Sequence, residues 1–333
     1  MNSQRVYIVT GAAGFIGFYV SKRLLEMGKQ VIGIDNINNY YDPSLKEARL
    51  NILREDKKFI FYKEDLVNYK GLREIFDKYR ADQVCHMAAQ AGVRYSLENP
   101  FAYQKSNVEG FLNVIELAKE YKIKNFVYAS SSSVYGNNEK IPFSESDNVD
   151  HPISLYAATK KADELIAHTY AHLYGLPTTG LRFFTVYGPW GRPDMALFIF
   201  TKAIMEEREI NVYNYGKMKR DFTYIDDIVD GVIAALSLHD SKLKTQNSKL
   251  MYEIFNLGNS HTVELEYFIE CIEKELGKKA RKRYLPIQKG DVPETFADIN
   301  HSKDKLGFNP KIGIEEGIKR FTRWYSSYYK QAS

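Results

Sequence analysis

The chain has 333 residues, enough to bury the core of one large domain or of two closely joined ones. Its hydrophobic content of 44% and charged content of 26% are ordinary for a globular protein and exclude a fibrous class. A formal net charge of +4 suits anionic small ligands better than nucleic acid, and two cysteines are too few for a disulfide framework or a multi-cysteine zinc site.

The sequence shows no targeting signal. It runs within a few residues into the strand-like segment Val6–Val9, without the layout of a signal peptide. No uncharged apolar run is long enough to span a bilayer. We therefore expect a cytoplasmic protein with reduced cysteines, no membrane partner and no bound metal.

Strand-like runs alternate with helix-like segments through the first half of the chain. Such alternation predicts a parallel sheet covered by helices on both faces. The predicted strands are Arg5–Thr10, Gln30–Asp35, Phe59–Tyr62, Gln83–Ala88, Asn125–Ser130 and Thr178–Phe184.

Beyond about Thr185 the loops become rich in Gly and Pro, which predicts a smaller mixed α/β lobe. The polar stretch Asp240–Lys249 is expected to be a surface loop, and the basic run at 278–283 a solvated helix end and loop. The predicted elements are strands near Ile210–Tyr213 and Glu253–Asn256 and helices near Asp226–Leu238, Val263–Leu276 and Glu315–Tyr329.

A glycine-rich turn, Gly11, Gly14 and Gly17, follows the first strand. These glycines permit a tight turn, close approach of backbone to a pyrophosphate and close packing of the helix that begins there, although the first two are one residue further apart than in the usual fingerprint. The second strand ends at Asp35, whose carboxylate would bind the adenosine ribose hydroxyls and repel a 2′-phosphate.

This combination predicts an NAD site on a Rossmann-type, doubly wound sheet over residues 1–184; the alternative is a plain glycine turn with a strand-end cap. Asp65 and Leu66 are expected at the adenine and Ala88 to Gln90 along the dinucleotide. The other residues assigned to the cofactor site are Phe15, Ile16, Asn36, Ala89 and Asn107.

Tyr156 and Lys160 lie four residues apart and so share one face of a predicted helix. An ammonium beside a tyrosine stabilises its phenolate, which makes the tyrosine a usable base, and the lysine can also hold the nicotinamide ribose. The hydroxyls of Ser131, Ser132 and Ser133 follow the fifth strand, where ligands of open parallel sheets bind. A chance Tyr-x-x-x-Lys pair on a surface helix is the alternative.

Five ordered segments together resemble the extended short-chain dehydrogenase/reductase family over almost the whole chain. Within that family, Ala88–Ser96 and Thr185–Met195 are most similar to UDP-glucuronate 4-epimerases. The five segments are the glycine turn, Ser131–Gly136, Tyr156–Lys160, Arg182–Pro189 and Arg220–Asp227.

The resemblance implies NAD-dependent C4 epimerisation of a UDP-sugar, most simply UDP-glucuronate to UDP-galacturonate, through a transient 4-keto sugar. Tyr156 would take the proton of the 4-hydroxyl and give it back, and Ser131 would hydrogen-bond that hydroxyl. Related dehydratases carry an acidic residue where this chain has Ser133, so dehydration is disfavoured.

The resemblance also implies a substrate site, whose six assigned residues lie between positions 94 and 291. Arg192 and Thr185 would hold the sugar carboxylate, Arg220 the diphosphate and Asp291 the uridine side. Arg94 and Ser96 are assigned to the substrate as well. Gln288 and Lys289 depart from the pattern of galactose-type relatives, so the sequence does not decide which residues contact the phosphates.

Alternative functions are a 4-epimerase of neutral UDP-hexoses, such as UDP-glucose or UDP-N-acetylglucosamine, and a non-catalytic NAD-binding sensor. The family expectation is a homodimer formed by helices around Pro100–Tyr121 and Tyr156–Gly175. Within one chain, we expect a 1–184 domain and a 185–333 lobe, with chain crossovers between the two. His86 is interpreted as a core histidine. The aromatic residues Trp324, Tyr325, Tyr328 and Tyr329 are interpreted as side chains that pack the C-terminal helix against the core.

Overall fold

The structure is a computed structural model that describes residues 5–239 and 251–330. The predicted surface loop Asp240–Lys249 lies outside the described residues. None of the helices within this described part combines the length and the apolar character needed to cross a bilayer.

The strands of the described residues are numbered in chain order. They are β1 Val6–Thr10, β2 Gln30–Asp35, β3 Phe59–Lys63, β4 Gln83–His86, β5 Asn125–Ser131, β6 Thr178–Phe183, β7 Thr185–Tyr187, β8 Glu209–Val212, β9 Lys219–Tyr224, β10 Tyr252–Leu257, β11 Thr262–Glu264 and β12 Arg281–Tyr284.

The α-helices are numbered in the same way, with a π-helical turn at Gln104–Glu109 and 3-10 turns at Ser132–Tyr135 and Tyr213–Gly216. They are α1 Phe15–Glu26, α2 Pro43–Arg54, α3 Tyr69–Lys78, α4 Tyr95–Glu98, α5 Pro100–Tyr103, α6 Gly110–Glu120, α7 Leu155–Tyr174, α8 Ala196–Met205, α9 Ile225–Ser237, α10 Leu265–Leu276, α11 Asn300–Leu306 and α12 Ile314–Lys330.

Seven parallel strands form the central sheet, in the order β10-β6-β5-β4-β1-β2-β3. Its inner strands are buried along their whole length because helices cover both faces: all four residues of β4 and all six of β6 are buried. This confirms the predicted α/β fold of the Rossmann type. Two smaller sheets, β11-β9-β7 and β12-β8, lie beside it.

The edge strand β10 differs from the prediction, which placed it in the smaller lobe. It pairs with β6 from Tyr252 opposite Thr178 to Leu257 opposite Phe183. The chain therefore returns to the central sheet after β9. Without β10 the backbone groups along the outer edge of β6 would have no strand partner, although all six residues of β6 are buried.

The basic run also differs from the prediction in part. Helix α10 ends at Leu276, and Gly277 follows in the left-handed conformation with φ +64°. Residues 281–283 are not loop, because they belong to β12 and pair in parallel with β8. The aromatic residues of α12 pack as predicted, with the Trp324 ring 5.2 Å from that of Trp190 and Tyr325 buried.

Helix α7 has clear start and stop signals, and it carries the predicted catalytic pair. The Ser154 hydroxyl accepts a hydrogen bond from the Ala157 amide at 3.2 Å, and Gly175 ends the helix with φ +64°. One face of α7 packs on β5 and β6, which fixes Tyr156 and Lys160 beside the carboxyl ends of those strands.

Candidate active site

A cavity of about 1150 Å³ opens at the carboxyl ends of the central strands. It is large enough to hold a dinucleotide and a second ligand together. It is lined by most of the residues assigned from the sequence: Gly11, Gly14, Phe15, Ile16, Gly17, Asp35, Asn36, Asp65, Leu66, Ala88, Ala89, Gln90, Arg94, Ser131, Ser132, Ser133, Tyr156, Lys160, Thr185, Arg192, Arg220 and Asp291.

Two assigned residues, Ser96 and Asn107, lie outside this lining. The Ser96 side chain is buried, and its hydroxyl donates to the Val93 carbonyl at 2.6 Å. The Asn107 side chain accepts from the Gln90 amide at 2.8 Å and donates to the Gln90 carbonyl at 3.0 Å. Asn107 therefore supports the segment that lines the cavity instead of facing the cavity itself.

The glycine turn is shaped so that no side chain fills it. Gly11 has φ +68°, and a Cβ there would lie 2.7 Å from the Ala88 nitrogen. A Cβ on Gly17 would fall well inside van der Waals contact of the Gly11 carbonyl oxygen. Helix α1 starts after Gly14 without a side-chain cap, so its first amides are available to a phosphate. These features fit a dinucleotide.

Replacing Gly17 by Ala should therefore damage both the fold and the cofactor site. The methyl group must push the turn away from α1, so we expect a loss of about 1–3 kcal/mol in the free energy of unfolding and weaker NAD binding. Urea unfolding and NAD titration by calorimetry measure the two effects. Gly313→Ala is the control, because its Cβ would meet its nearest neighbour at an ordinary 3.5 Å. Equal stability of the two variants would contradict the argument.

Asp35 ties the end of β2 to the glycine turn. Its carboxylate accepts from the Ala13 amide at 3.2 Å and from the Ile37 amide at 2.8 Å. Burial raises the pKa of Asp35, although Lys46 nearby acts to lower it. Each carboxylate oxygen can accept a further hydrogen bond, so Asp35 can still serve the ribose hydroxyls. Beside it, Asn36 donates to Asp65 at 2.9 Å.

A buried cation, Arg49 on α2, was not found from the sequence. Its guanidinium is fully buried and donates to the Ala13 carbonyl at 2.8 Å, within the glycine turn. It also donates to the carbonyls of Trp190 at 2.6 Å and Gly191 at 3.3 Å, next to Arg192. One side chain thus joins the turn to the loop that carries Arg192. In the sequence Arg49 looks like any helix-surface arginine.

Tyr156 and Lys160 both face the cavity, as predicted from their spacing. Tyr156 is half-buried, and its ring lies 6.1 Å from that of Tyr103 in an edge-on contact. Lys160 is 1% exposed, and its ammonium donates to the Ala129 carbonyl at 2.9 Å and to the Asp163 carboxylate at 3.1 Å. The ammonium is therefore held by strand β5 and by its own helix.

The serines after β5 form a small hydroxyl cluster at the cavity wall. The Ser131 oxygen accepts from the Ser133 amide at 3.1 Å and its hydroxyl donates to the Ser133 hydroxyl, also at 3.1 Å. The interpretation of His86 as a core residue is confirmed: it is 1% exposed, Thr10 lies 3.0 Å from its Nδ1, and burial lowers its pKa to about 3.

The loop after β7 places Arg192 in the cavity with a carboxylate already beside it. The Arg192 Nε lies 3.0 Å from Asp194 Oδ1, Nη2 donates to the other oxygen, and the Tyr40 hydroxyl donates to that oxygen at 3.1 Å. Burial acts to lower the pKa of Arg192, but Asp194, Tyr40 and Tyr156 together raise it. Neither Asp194 nor Tyr40 was assigned from the sequence.

Two arginines and one carboxylate also line the cavity. Arg94 pairs with Asp291 at 3.2 Å, and its guanidinium lies 4.8 Å from the centre of the Tyr213 ring. Arg220 donates to the carbonyls of Lys219 at 2.9 Å and Pro293 at 3.1 Å, and burial lowers its pKa. Two cations against one anion leave a net positive end suited to a diphosphate. No group of three or more His, Cys, Asp or Glu in the described residues is placed to hold a metal ion.

Comparison with known proteins gives matches over nearly the whole chain. Protein CapI of Staphylococcus aureus is 52% identical over 332 residues, which cover 97% of this chain and 99% of that protein. UDP-glucuronate 4-epimerase 4 of Arabidopsis thaliana is 49% identical over 336 residues, covering 98% of this chain and 77% of that protein.

The crystal structure of UDP-glucuronic acid 4-epimerase from Bacillus cereus in complex with UDP-glucuronic acid and NAD has the same fold. It superposes with a TM-score of 0.89 at 32% identity and covers 97% of this chain and 100% of that one. The family model described as GDP-mannose 4,6 dehydratase matches residues 8–321. The glycine turn, the Tyr156–Lys160 helix and this extent of similarity together make the chain a member of the GDP-mannose 4,6 dehydratase family of extended short-chain dehydrogenases/reductases.

Proposed function

We propose that the chain is an NAD-dependent UDP-glucuronate 4-epimerase that forms UDP-galacturonate through a transient 4-keto sugar. The observation that carries the proposal is the position of Arg192, which lines the same cavity as Tyr156 and interacts electrostatically with its phenol. The carboxylate of a uronate is attached to C5, next to the C4 hydroxyl that reacts. A cation that shares the cavity with the catalytic phenol is therefore placed to bind that carboxylate.

Tyr156 would act on the proton of the C4 hydroxyl. When bound, NAD supplies the acceptor and donor of the hydride. Tyr156 would take the hydroxyl proton as the hydride leaves C4 and, once the keto sugar has turned its other face, would give that proton back to the same oxygen as the hydride returns to C4. Lys160 stabilises the phenolate, and Ser131 or Ser133 holds the reacting oxygen in line. The proton thus returns to the oxygen from which it came.

Holding the carboxylate also protects the intermediate. A 4-keto uronate is a β-keto acid, which loses CO₂ when its carboxylate bond aligns with the carbonyl π system. Arg192 and Thr185, which both line the cavity, would keep that bond out of alignment. Asp194 and Tyr40 hold the Arg192 fork in a fixed direction, so the clamp does not have to be ordered by the substrate.

The nucleotide would lie at the positive end of the cavity. Arg220 and Arg94 would contact the diphosphate and Asp291 the uridine side. We propose a division into a cofactor domain, 1–184, and a substrate lobe, 185–333, because the second part supplies Arg192, Arg220 and Asp291. The return of β10 to the central sheet is then a crossover between the two.

Proton NMR of UDP-glucuronate incubated with the purified protein tests the proposal, because the epimer, the pentose and a dehydrated product give distinct spectra. We expect UDP-galacturonate, and slower turnover of UDP-glucose and UDP-N-acetylglucosamine offered in parallel. Faster turnover of a neutral sugar would favour a hexose epimerase. NAD binding without turnover of any UDP-sugar would favour a sensor.

We further propose that the protein acts in the cytoplasm as a homodimer. Both cysteines of the described structure are unpaired, as is usual in a reducing compartment. The helices expected at the dimer interface carry several exposed apolar side chains. They are Phe101 at 76% exposure, Leu112 at 43%, Leu165 at 57% and Leu173 at 61%.

The double substitution Phe101→Asp and Leu165→Asp should make the protein monomeric. A charge in an apolar interface must be desolvated without a partner, which disfavours association. Light scattering coupled to size-exclusion chromatography measures the mass. Met27→Asp is the control, since Met27 is also exposed, at 47%, but lies at the end of α1. A double variant that remains dimeric would contradict this interface.

A further inference from the structure

We propose that Asp163 is a positioning residue for proton transfer, because its buried carboxylate holds the Lys160 ammonium and offsets part of the charge that Lys160 presents to Tyr156. The inference rests on the proposed function, in which Tyr156 is the base. Asp163 does not itself line the cavity, whereas its partner Lys160 does, so its influence has to act through Lys160.

The geometry of the pair supports this role. Asp163 is fully buried, Lys160 is 1% exposed, and Asp163 Oδ2 lies 3.1 Å from the Lys160 ammonium. The Ala129 carbonyl takes a second ammonium hydrogen at 2.9 Å. An ammonium has three hydrogens, so one remains to point toward the cavity. Asp163 therefore helps to decide the direction of that last hydrogen.

The spacing along α7 places the three groups in line. Tyr156, Lys160 and Asp163 are separated by four and then three residues, so all lie on one helix face with Lys160 in the middle. In a buried site of low dielectric, a lone ammonium would act strongly on the phenol. With Asp163 ionised behind it, the phenol experiences an ion pair, whose effect is smaller.

The neighbouring charges leave Lys160 as the partner of Asp163. The adjacent Glu164 is already matched by a two-point pair with Arg182, at 2.8 and 2.9 Å, and by the Ser130 hydroxyl. Asp163 Oδ1 has no hydrogen-bond partner among the described residues. The titratable groups that interact with Asp163 are Lys160 and Glu164 on α7 and Tyr128 on β5. Further out, His86 on β4 interacts with Lys160, and Lys161, Arg182 on β6 and Tyr252 on β10 interact with Glu164.

Burial brings the pKa of Asp163 into the pH range in which enzymes usually work. It raises the pKa of Asp163 to about 7, although Lys160 acts to lower it. Above that pH the carboxylate offsets the ammonium. Below it, Asp163 is neutral and no longer offsets the ammonium.

Asp163→Asn keeps the shape and removes the charge, so it is the test variant. Because the two proteins differ in charge only above about pH 7, where Asp163 is ionised in the wild type, we expect the acid limb of kcat/KM for UDP-glucuronate to lie above pH 7 in the wild type and to move to lower pH in the variant, by on the order of one pH unit. Glu164→Gln is the matched control, because it removes the adjacent buried carboxylate, whose partner is Arg182. Its acid limb should stay near that of the wild type.

The possible outcomes decide between the explanations. An unchanged limb in Asp163→Asn, a limb moved to higher pH, or an equal shift in Glu164→Gln would each overturn the proposal. Asp163→Ser, neutral and smaller, should shift the limb in the same direction and serves if the Asn variant does not fold. If the wild type is active and the acid limb of Asp163→Asn is unmoved, only the role of Asp163 is rejected. If the wild type turns over no UDP-sugar, the proposed function and this role are rejected together.

Unfolding provides a readout that needs no turnover. The pKa of Asp163 rises from about 4 in an unfolded chain to about 7 in the fold, so the stability it contributes is present below pH 4 and is lost as the pH rises through 7. Asn cannot titrate. The free energy of unfolding of the wild type minus that of Asp163→Asn should therefore fall between pH 5 and pH 8 in urea titrations. A difference that grows over this range would overturn the proposal.

Discussion

Tyr156→Phe is expected to lower kcat on UDP-glucuronate by about 10³- to 10⁴-fold, the upper part of the range for loss of a positioned acid–base group. The substitution removes one oxygen from a half-buried ring in the cavity and leaves the rest of the ring in place. Without that oxygen, nothing with the same reach takes the C4 proton as the hydride leaves. The NAD site, built from the glycine turn and Asp35, should bind as before.

Turnover by proton NMR and NAD affinity by calorimetry separate these two effects. Tyr103→Phe is the matched control, since its ring contacts that of Tyr156 but its hydroxyl donates to the Ala91 and Gly92 carbonyls. Tyr103→Phe should lower kcat far less than Tyr156→Phe does. A Tyr156→Phe protein that keeps more than a tenth of wild-type kcat would remove Tyr156 from the mechanism.

Arg192→Met should lower kcat/KM for UDP-glucuronate about 100-fold and leave neutral UDP-sugars within about threefold of their wild-type values. A hydrogen bond to a charged group contributes more than a neutral one, and only the uronate supplies the second charge. Because the carboxylate is then free to rotate, we also expect some UDP-pentose among the products. Parallel assays with both substrates, followed by NMR, measure the ratio and the pentose.

The neighbouring carboxylate requires a control of its own. Removing Arg192 leaves Asp194 beside the substrate carboxylate, and repulsion between the two would also slow the reaction. The double variant Arg192→Met, Asp194→Asn removes that repulsion. If it is as slow on UDP-glucuronate as the single variant, the lost clamp is the cause. Equal losses on charged and neutral sugars in Arg192→Met would refute the carboxylate assignment.

Local patterns predicted much of the fold. Strand β2 has the predicted bounds, Gln30–Asp35, and the other strands of the first half differ by at most two residues at either end. The glycine turn, the start of α1 and the helical Tyr156–Lys160 pair also follow from neighbouring residues. The position of β10 does not, because its partner β6 ends 69 residues earlier in the chain, and no local pattern states which edge a strand will join.

The candidate site likewise contains residues that local motifs predict and residues that they do not. Residues assigned from motifs meet at one cavity, whereas Ser96 and Asn107 turn toward backbone behind its wall. Asp163, Asp194 and Arg49 could not be assigned, because in the sequence each is an ordinary charged residue. The importance of Asp163 and Arg49 comes from burial, and that of Asp194 from its ion pair with Arg192; only the packing of α2, α7 and the loop after β7 creates these surroundings.

The bridge made by Arg49 has a thermodynamic consequence for how the two ligands meet the protein. Since one guanidinium grips both Ala13 and Gly191, the segment that receives the dinucleotide and the segment that presents Arg192 cannot shift independently. If one ligand orders both segments, reciprocity requires that each ligand strengthen the binding of the other by the same factor. That coupling would depend on Arg49, a residue that does not itself line the cavity.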